Sequence, residues 1–266
     1  MTISDSCHLV QALLSLNRLP VGITFLLDEE SYHAFDAQEK HTRTPYCVAV
    51  RKAGQGEGLK MRADHHACGG GATALGFIKP NEDNRSGARR LKMGCFHDLG
   101  TSRSISKEMV YCAHTPYGIG ISPLNECKAA PDVVVVVCSP YDAMRILHGH
   151  AYYHGFAHGM KTTGLQAICH DCTSFPYEEG RLNISMLCSG TRMLAGWSQD
   201  ELAVGLPYSL WLDVVDGIRN TVNPYERTPA KKRIAERLQD AGMEELLNIE
   251  IGRNYDDGCY KGGRVE

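Results

Sequence analysis

Pro131-Asp132-Val133-Val134-Val135-Val136-Val137-Cys138-Ser139-Pro140 is the stretch on which the fold turns. Five consecutive valines cannot alternate between a wet face and a dry one, so a strand made of them is buried on both sides. Such a strand belongs at the centre of a sheet with helices packed on either face. The run then ends in a helix-start signal. Ser139 suits an N-cap, Pro140 the first helical position and Asp142 the reciprocal half of the cap. The helix that follows carries Met144, Leu147 and Ala151 on one face. The expected class is α/β, with α+β as the variant, and a helical C-terminus.

Working outward, Leu9, Leu13 and Leu16 form the stripe of an amphipathic helix after Ser4, closed by Asn17 and Pro20. Val21 to Leu27 reads as a strand. Gly58 to Arg62 reads as another, leading into His65-His66-Ala67-Cys68-Gly69-Gly70-Gly71, with Ala72 to Phe77 as the helix after the glycines. Thr44 to Ala53 fits a short helix or a strand equally, and residues 81–125 show no strong period. Downstream, Ser198 to Glu201 reads as a capping box opening a short helix. Two more helices follow Pro207 and Pro229, with stripes Leu210/Val214/Ile218 and Ile234/Leu238. Gly252 to Glu266 is polar and glycine-rich, which predicts a tail or arm.

The two halves of this region echo each other. A strand after Pro20 is followed by Tyr46-Cys47, then Gly58-Leu59-Lys60-Met61, then Cys68-x-Gly70. A strand after Pro131 is followed by Ile168-Cys169, then Gly180-Arg181-Leu182-Asn183, then Cys188-x-Gly190. The cysteines of each pair are 21 and 19 residues apart, and Gly76 and Gly196 each fall eight residues after the second cysteine. The expected organisation is one domain over 1–225 with a degenerate repeat, about 18–125 and 128–225, followed by a helix and tail over 226–266. Two such halves face to face would bring four cysteines toward one axis.

Composition narrows the function. Of 266 residues, 43% are apolar and 22% charged, which excludes a disordered or collagenous chain. A formal net charge of −3 removes the basic footprint of a non-specific nucleic-acid binder. No apolar run approaches the ~18 residues of a membrane span, and Met1 to Cys7 lacks the character of a secretory signal. The expectation is a cytoplasmic protein with a small-molecule substrate, no nucleic-acid or membrane partner, and homodimer formation on base rates alone.

Eleven cysteines and twelve histidines stand out. In a reducing compartment, cysteines read as metal ligands, catalytic groups or buried packing rather than disulfides. The candidate metal-ligand set is Cys47, Cys68, Cys169 and Cys188, with Cys172 as substitute because it completes a Cys-x-x-Cys. Gly69-Gly70-Gly71 and Ser189-Gly190 each follow a cysteine and precede a helix, so their N–H groups can donate to sulfides or another anion. Cys138, Cys112 and Cys127 are expected to pack as small hydrophobes. Long, glycine-flanked spacings favour a [4Fe–4S] cluster over zinc. His170 and Asp171, between Cys169 and Cys172, are the candidates for proton transfer, and Arg192 for clamping an anion. His65 and His66 could line whatever Cys68 faces. His150, His154 and His158, spaced four apart, would share one face of a continuous helix, as in helical zinc sites, but Gly149, Gly155 and Gly159 interrupt it.

Three segments resemble a bacterial and archaeal family, the domain of unknown function numbered 169. They are His66-Ala67-Cys68-Gly69-Gly70-Gly71-Ala72-Thr73-Ala74-Leu75-Gly76, Pro131-Asp132 with its valines through Pro140 to Ala143-Met144-Arg145, and Cys188-Ser189-Gly190-Thr191-Arg192. The resemblance in motif order runs from about Leu14 to Val222. It implies a prokaryotic cytoplasmic protein, frequent in anaerobes, with shared cysteines at 68, 169 and 188, and it supplies no reaction. The histidine-rich stretch after Leu147 departs from the family's pattern.

Together these readings give a cysteine-ligated iron–sulfur protein, with an oxygen-sensitive enzyme of lyase or redox type as the leading expectation. In a three-ligand version Cys68, Cys169 and Cys188 hold the cluster while Cys47 or Cys172 serves the chemistry. The alternatives are a zinc or small-ligand binding module, and a thiol redox protein using Cys169 and Cys172, which requires one of those thiols to be exposed with a lowered pKa.

Overall fold

The computed structural model describes residues 1–252. Seven strands form one sheet: β1 Val21–Leu26, β2 Gln38–Glu39, β3 Leu59–Arg62, β4 Gly118–Pro123, β5 Val133–Cys138, β6 Asn183–Ser185 and β7 Leu202–Pro207. Their spatial order is β2-β3-β4-β1-β5-β7-β6. The valine strand β5 is central. Val133, Val135 and Val137 enter one core and Val134, Val136 and Cys138 the other. Burial on both faces is what five valines encode; strand direction is not. β5 runs antiparallel to both β1 and β7, and of the paired strands only β2 and β3 are parallel. The fold is therefore mixed α and β, with a mainly antiparallel sheet.

Helices cover both faces, giving three layers around two cores. Ile3–Leu13, Pro140–His154, Tyr208–Asn220 and Thr228–Asp240 pack on the face of Val134 and Val136. The opposite face carries shorter pieces: Tyr46–Ala53, Gly69–Ala74, a π-helical turn His170–Ser174 and Ser189–Ala195. Around the β1/β5 pair the order is symmetric. Outward from β1 come β4 and then β3; outward from β5 come β7 and then β6. In chain order, each side lays down a strand, a helical turn begun by a cysteine-containing dipeptide, a strand, a cysteine-capped helix and a strand.

Two local expectations are corrected, and two stretches that the sequence left open take definite form. The ambiguous Thr44–Ala53 stretch is helical from Tyr46, and the helix after Cys68 starts at Gly69 rather than Ala72, so the glycines are its first turn. Residues 81–125 hold three short helices and then β4. Within β4, a Cβ at Gly118 or Gly120 would lie 2.3 Å from the ring of Tyr32 or Phe35 respectively, so the missing side chains seat those rings. Ser198–Glu201 forms its box, the Ser198 N–H donating to Oε2 of Glu201 at 2.7 Å, yet it closes a turn instead of opening a helix. Arg18 holds the same carboxylate at 2.9 Å, and the apolar residues that follow pair with β5 as β7. The predicted tail, beyond Gly252, lies outside the described residues. Among the described residues no helix is long and apolar enough to cross a membrane.

Candidate functional site

Each of the four candidate cysteines stands where a helical segment begins. Cys47 is in the first turn of Tyr46–Ala53, whose N-cap is Pro45. Cys68 is the N-cap of Gly69–Ala74, and Cys188 the N-cap of Ser189–Ala195. Cys169 leads into the π-helical turn. Helix starts leave N–H groups without intrahelical partners, and one of these, from Thr191, donates to the Cys188 sulfur at 3.4 Å. The helix bearing Cys188 packs on the helix bearing Cys47, and the helix bearing Cys68 packs on the turn after Cys169. Each contact joins one half of the sheet to the other. A buried hydrogen bond, 2.9 Å between Tyr46 Oη and Thr173 Oγ1, ties the same elements.

The four sulfurs feel one another. Burial raises the pKa of the Cys47 thiol, the Thr191 hydroxyl opposes that, and the charges of Cys68 and Cys188 add to it. Burial pushes Cys169 well above the usual thiol range, with Cys68, Cys188, Cys47 and Asp171 all acting in the same sense. The glycines leave room beside these thiols. A Cβ on Gly69 would meet nothing within 4 Å, and one on Gly70 or Gly190 only the neighbouring cysteine sulfur at 3.8 Å. Gly71 is walled by Tyr46, Cys68 and Cys169, at 3.6, 3.9 and 4.0 Å. Cys68, Gly69, Gly70 and Ser189 are exposed, so the cluster opens to solvent. Leu187, next to Cys188, is the one non-glycine residue at positive φ (63°) among those described. Such backbone strain concentrates at functional sites, and nothing in the sequence signals it.

The other candidates separate from this group. Cys172 is fully buried; its sulfur donates to the carbonyl of Ala203 at 3.5 Å, and β7 crosses so closely that a Cβ on Gly205 would lie 2.3 Å from its Cα. It packs against the sheet and is no substitute ligand. Burial raises both the Cys169 and the Cys172 thiols, opposite in direction to the lowered pKa that a redox pair at these positions calls for. Arg192 is spent on the backbone: it donates to the carbonyls of Met186 and Glu201, each at 2.9 Å, and to that of Ser198. It therefore cinches the loop into β7 rather than facing an anion. Cys138 and Cys112 are buried and Cys127 half-buried, as packing residues.

The histidine stretch does not assemble. The helix ends at His154, so His158 is off it; His154 pairs with Asp213 at 3.0 Å, beside the buried ring of His150. Among the described residues no group of three or more His, Cys, Asp or Glu is placed to hold a single metal ion. His66 is buried against Phe77 with both ring nitrogens unpartnered, and burial lowers its pKa to about 4. His65 accepts the Arg62 N–H at Nδ1, 3.2 Å away.

His170 and Asp171 line a separate cleft of ≈ 430 Å³, together with Ile105, Met109, Lys161 and Phe175. Burial lowers His170 to about 3 and raises Asp171 to about 7. Nδ1 of His170 lies 3.8 Å from the Cys169 sulfur, the link between the cleft and the thiols.

Fold and site define a three-layer α and β protein with a surface cluster of thiols at the junction of its two half-sheets. Residues 10–217 match DUF169, described as an uncharacterised ArCR family, and the chain belongs to that family. It is similar to the uncharacterized protein MJ0308 of Methanocaldococcus jannaschii, 27% identical over 193 residues, which is 72% of this chain and 81% of that protein. No solved structure matches the chain significantly.

Proposed function

We propose that Cys47, Cys68, Cys169 and Cys188 hold an iron–sulfur cluster of the [4Fe–4S] type in a cytoplasmic, oxygen-sensitive enzyme that acts on a small molecule. The observation that carries this is the meeting of four thiols from four helix starts, two from each half of the sheet, with glycines leaving room beside them. Packing alone does not call for four thiols at a solvent-open junction. Bound iron would take these thiols as thiolates, its positive charge compensating the negative charge that burial otherwise disfavours. Zinc asks for ligands on one small tetrahedron, which the described residues do not offer. A cluster spreads its thiolates over different irons, and so suits ligands set further apart.

Within this reading the chain's own residues have distinct tasks. The first-turn N–H groups at Gly69–Gly71 and Ser189–Gly190 donate to sulfur, as the Thr191 N–H already does to Cys188. The Thr191 hydroxyl orients Cys47. Trp197 fixes that hydroxyl in turn, its indole N–H donating to Oγ1 at 3.2 Å. When bound, such a cluster supplies one-electron transfer or, where an iron lacks a protein thiolate, a Lewis acid for an oxygen- or sulfur-bearing substrate. The test is replacement of each of the four cysteines by serine, with iron counted after anaerobic purification. Each variant is expected to lose most of its iron, while Cys112→Ser keeps it. Full iron in all four variants would defeat the assignment.

A further inference from the structure

A second cleft, of ≈ 520 Å³, adjoins the one that His170 lines and shares Lys107 and Met109 with it. Its volume is that of a small-molecule site, and none of the four candidate cysteines lines it. All of its charged lining is positive: Lys79, Arg85 and Lys107, with no carboxylate among the lining residues. The surrounding chain is charged in the same sense. Residues 79–107 hold seven Lys and Arg against three Asp and Glu, in a chain of net charge −3.

The fold does not neutralise these cations. The acids close to them in sequence are engaged elsewhere: Asp83 lies 4.0 Å from Lys92, Asp98 caps its own helix, and Glu108 pairs with Lys161 at 2.7 Å. Among the described residues no carboxylate comes within 4 Å of Lys79, Arg85 or Lys107. Arg90 adds a fourth positive charge, donating to Oγ of the lining residue Ser106 at 3.4 Å. Burial raises the Tyr111 phenol above its usual range, and the charges of Arg90 and Arg85 oppose that rise. Tyr111 also lines the cleft. It gives its proton to Met109 Sδ at 3.5 Å, a weak acceptor that a charged oxygen would displace. Against these stands Glu178, whose carboxylate accepts the N–H of the lining residue Ala113 at 2.8 Å. One carboxylate leaves the balance positive, and a cleft lined by one sign of charge focuses its field on a ligand of the other.

Ile78, Pro80 and Met109 give the cleft an apolar wall. We propose that it binds a small organic phosphate, with the phosphoryl group on Lys79, Arg85 and Lys107 and the apolar body along Ile78, Pro80 and Met109. A phosphate monoester carries up to two charges where a carboxylate carries one, so it answers several cations at once, and a guanidinium can meet two of its oxygens. No cysteine takes part, so this assignment stands apart from the iron–sulfur reading.

Calorimetric titration of the full-length, anaerobically purified protein with phenyl phosphate, benzoate and inorganic phosphate, in about 150 mM salt to screen loose surface attraction, tests the proposal. Phenyl phosphate is expected to bind one to one, about tenfold tighter than either other probe. Arg85→Gln and Lys107→Gln, at exposed residues that tolerate exchange, are each expected to weaken it about fivefold or more. Arg103→Gln removes the same charge from an exposed residue outside the lining and is expected to leave binding unchanged. No binding, equal binding of the three probes, or an equal loss in Arg103→Gln overturns the proposal; the last would make the attraction a property of the whole basic segment. Iron-loaded and iron-free protein are expected to bind phenyl phosphate alike, so the failure of either reading leaves the other standing.

Discussion

Replacing Cys172 and replacing Cys188 should fail in opposite ways, although both residues belong to short cysteine motifs. Cys172 is wholly buried against β7, so Cys172→Ala leaves a small cavity. It should cost about 1–3 kcal/mol in urea unfolding while iron content is unchanged. Loss of iron with unchanged stability would make Cys172 a ligand after all. Spacing could not separate Cys169 from Cys172, because a Cys-x-x-Cys fixes distance along the chain and not direction. The direction comes from the π-helical turn that begins at His170. Arg192 shows the same limit: a lone arginine four residues after a cysteine reads as an anion clamp until its donors are found on three carbonyls.

At the scale of elements, the strongest signals were those in which composition alone dictates burial. The valine strand and the Ser139-Pro140 helix start were legible for that reason, and so were the helices after Pro207 and Pro229. β4 and β7 were not, since glycines and a capping pattern mark turns unless a partner is known. Gly149 is the instructive case. Read as a helix breaker, it is instead where the Pro140–His154 helix meets Tyr208–Asn220. A Cβ on Gly149 would lie 2.4 Å from the Val214 carbonyl, and one on Gly217 2.1 Å from that of Gly149. Helix propensity favours alanine at Gly149 by about 1 kcal/mol, whereas forcing the two backbones apart costs about 1–3 kcal/mol. Gly149→Ala is therefore expected to lower the thermal midpoint; a raised midpoint would show that the contact has slack.

Across the whole molecule, the sheet and the thiol group share one arrangement. β4 and β3 lie outside β1 as β7 and β6 lie outside β5, and the two cross-contacts, Cys47 helix with Cys188 helix and Cys68 helix with Cys169 turn, relate the halves in the same sense. Four cysteines spread over 142 positions could be gathered in thought only through the echo between the halves. On the opposite face a buried ion pair locks the helical layer: Arg145 Nε donates to Glu226 at 2.6 Å, and its other nitrogens reach Thr221 Oγ1 and the Ile218 carbonyl at 3.1 and 3.2 Å. Arg145 and Glu226 are 1% and 3% exposed, so removing one partner strands the other's charge. Glu226→Gln is expected to lower unfolding free energy by about 3–5 kcal/mol, with iron content retained in the folded fraction. A loss below 1 kcal/mol, in the range of exposed pairs, would contradict that reading.

The measurement that bears most directly on the central claim is the iron, zinc and acid-labile sulfide content of protein purified without oxygen, with visible spectra taken before and after air. About four iron and four sulfide per chain, and a brown absorption that air bleaches, is the expected result. Colourless, iron-free protein with its cysteines intact would contradict it.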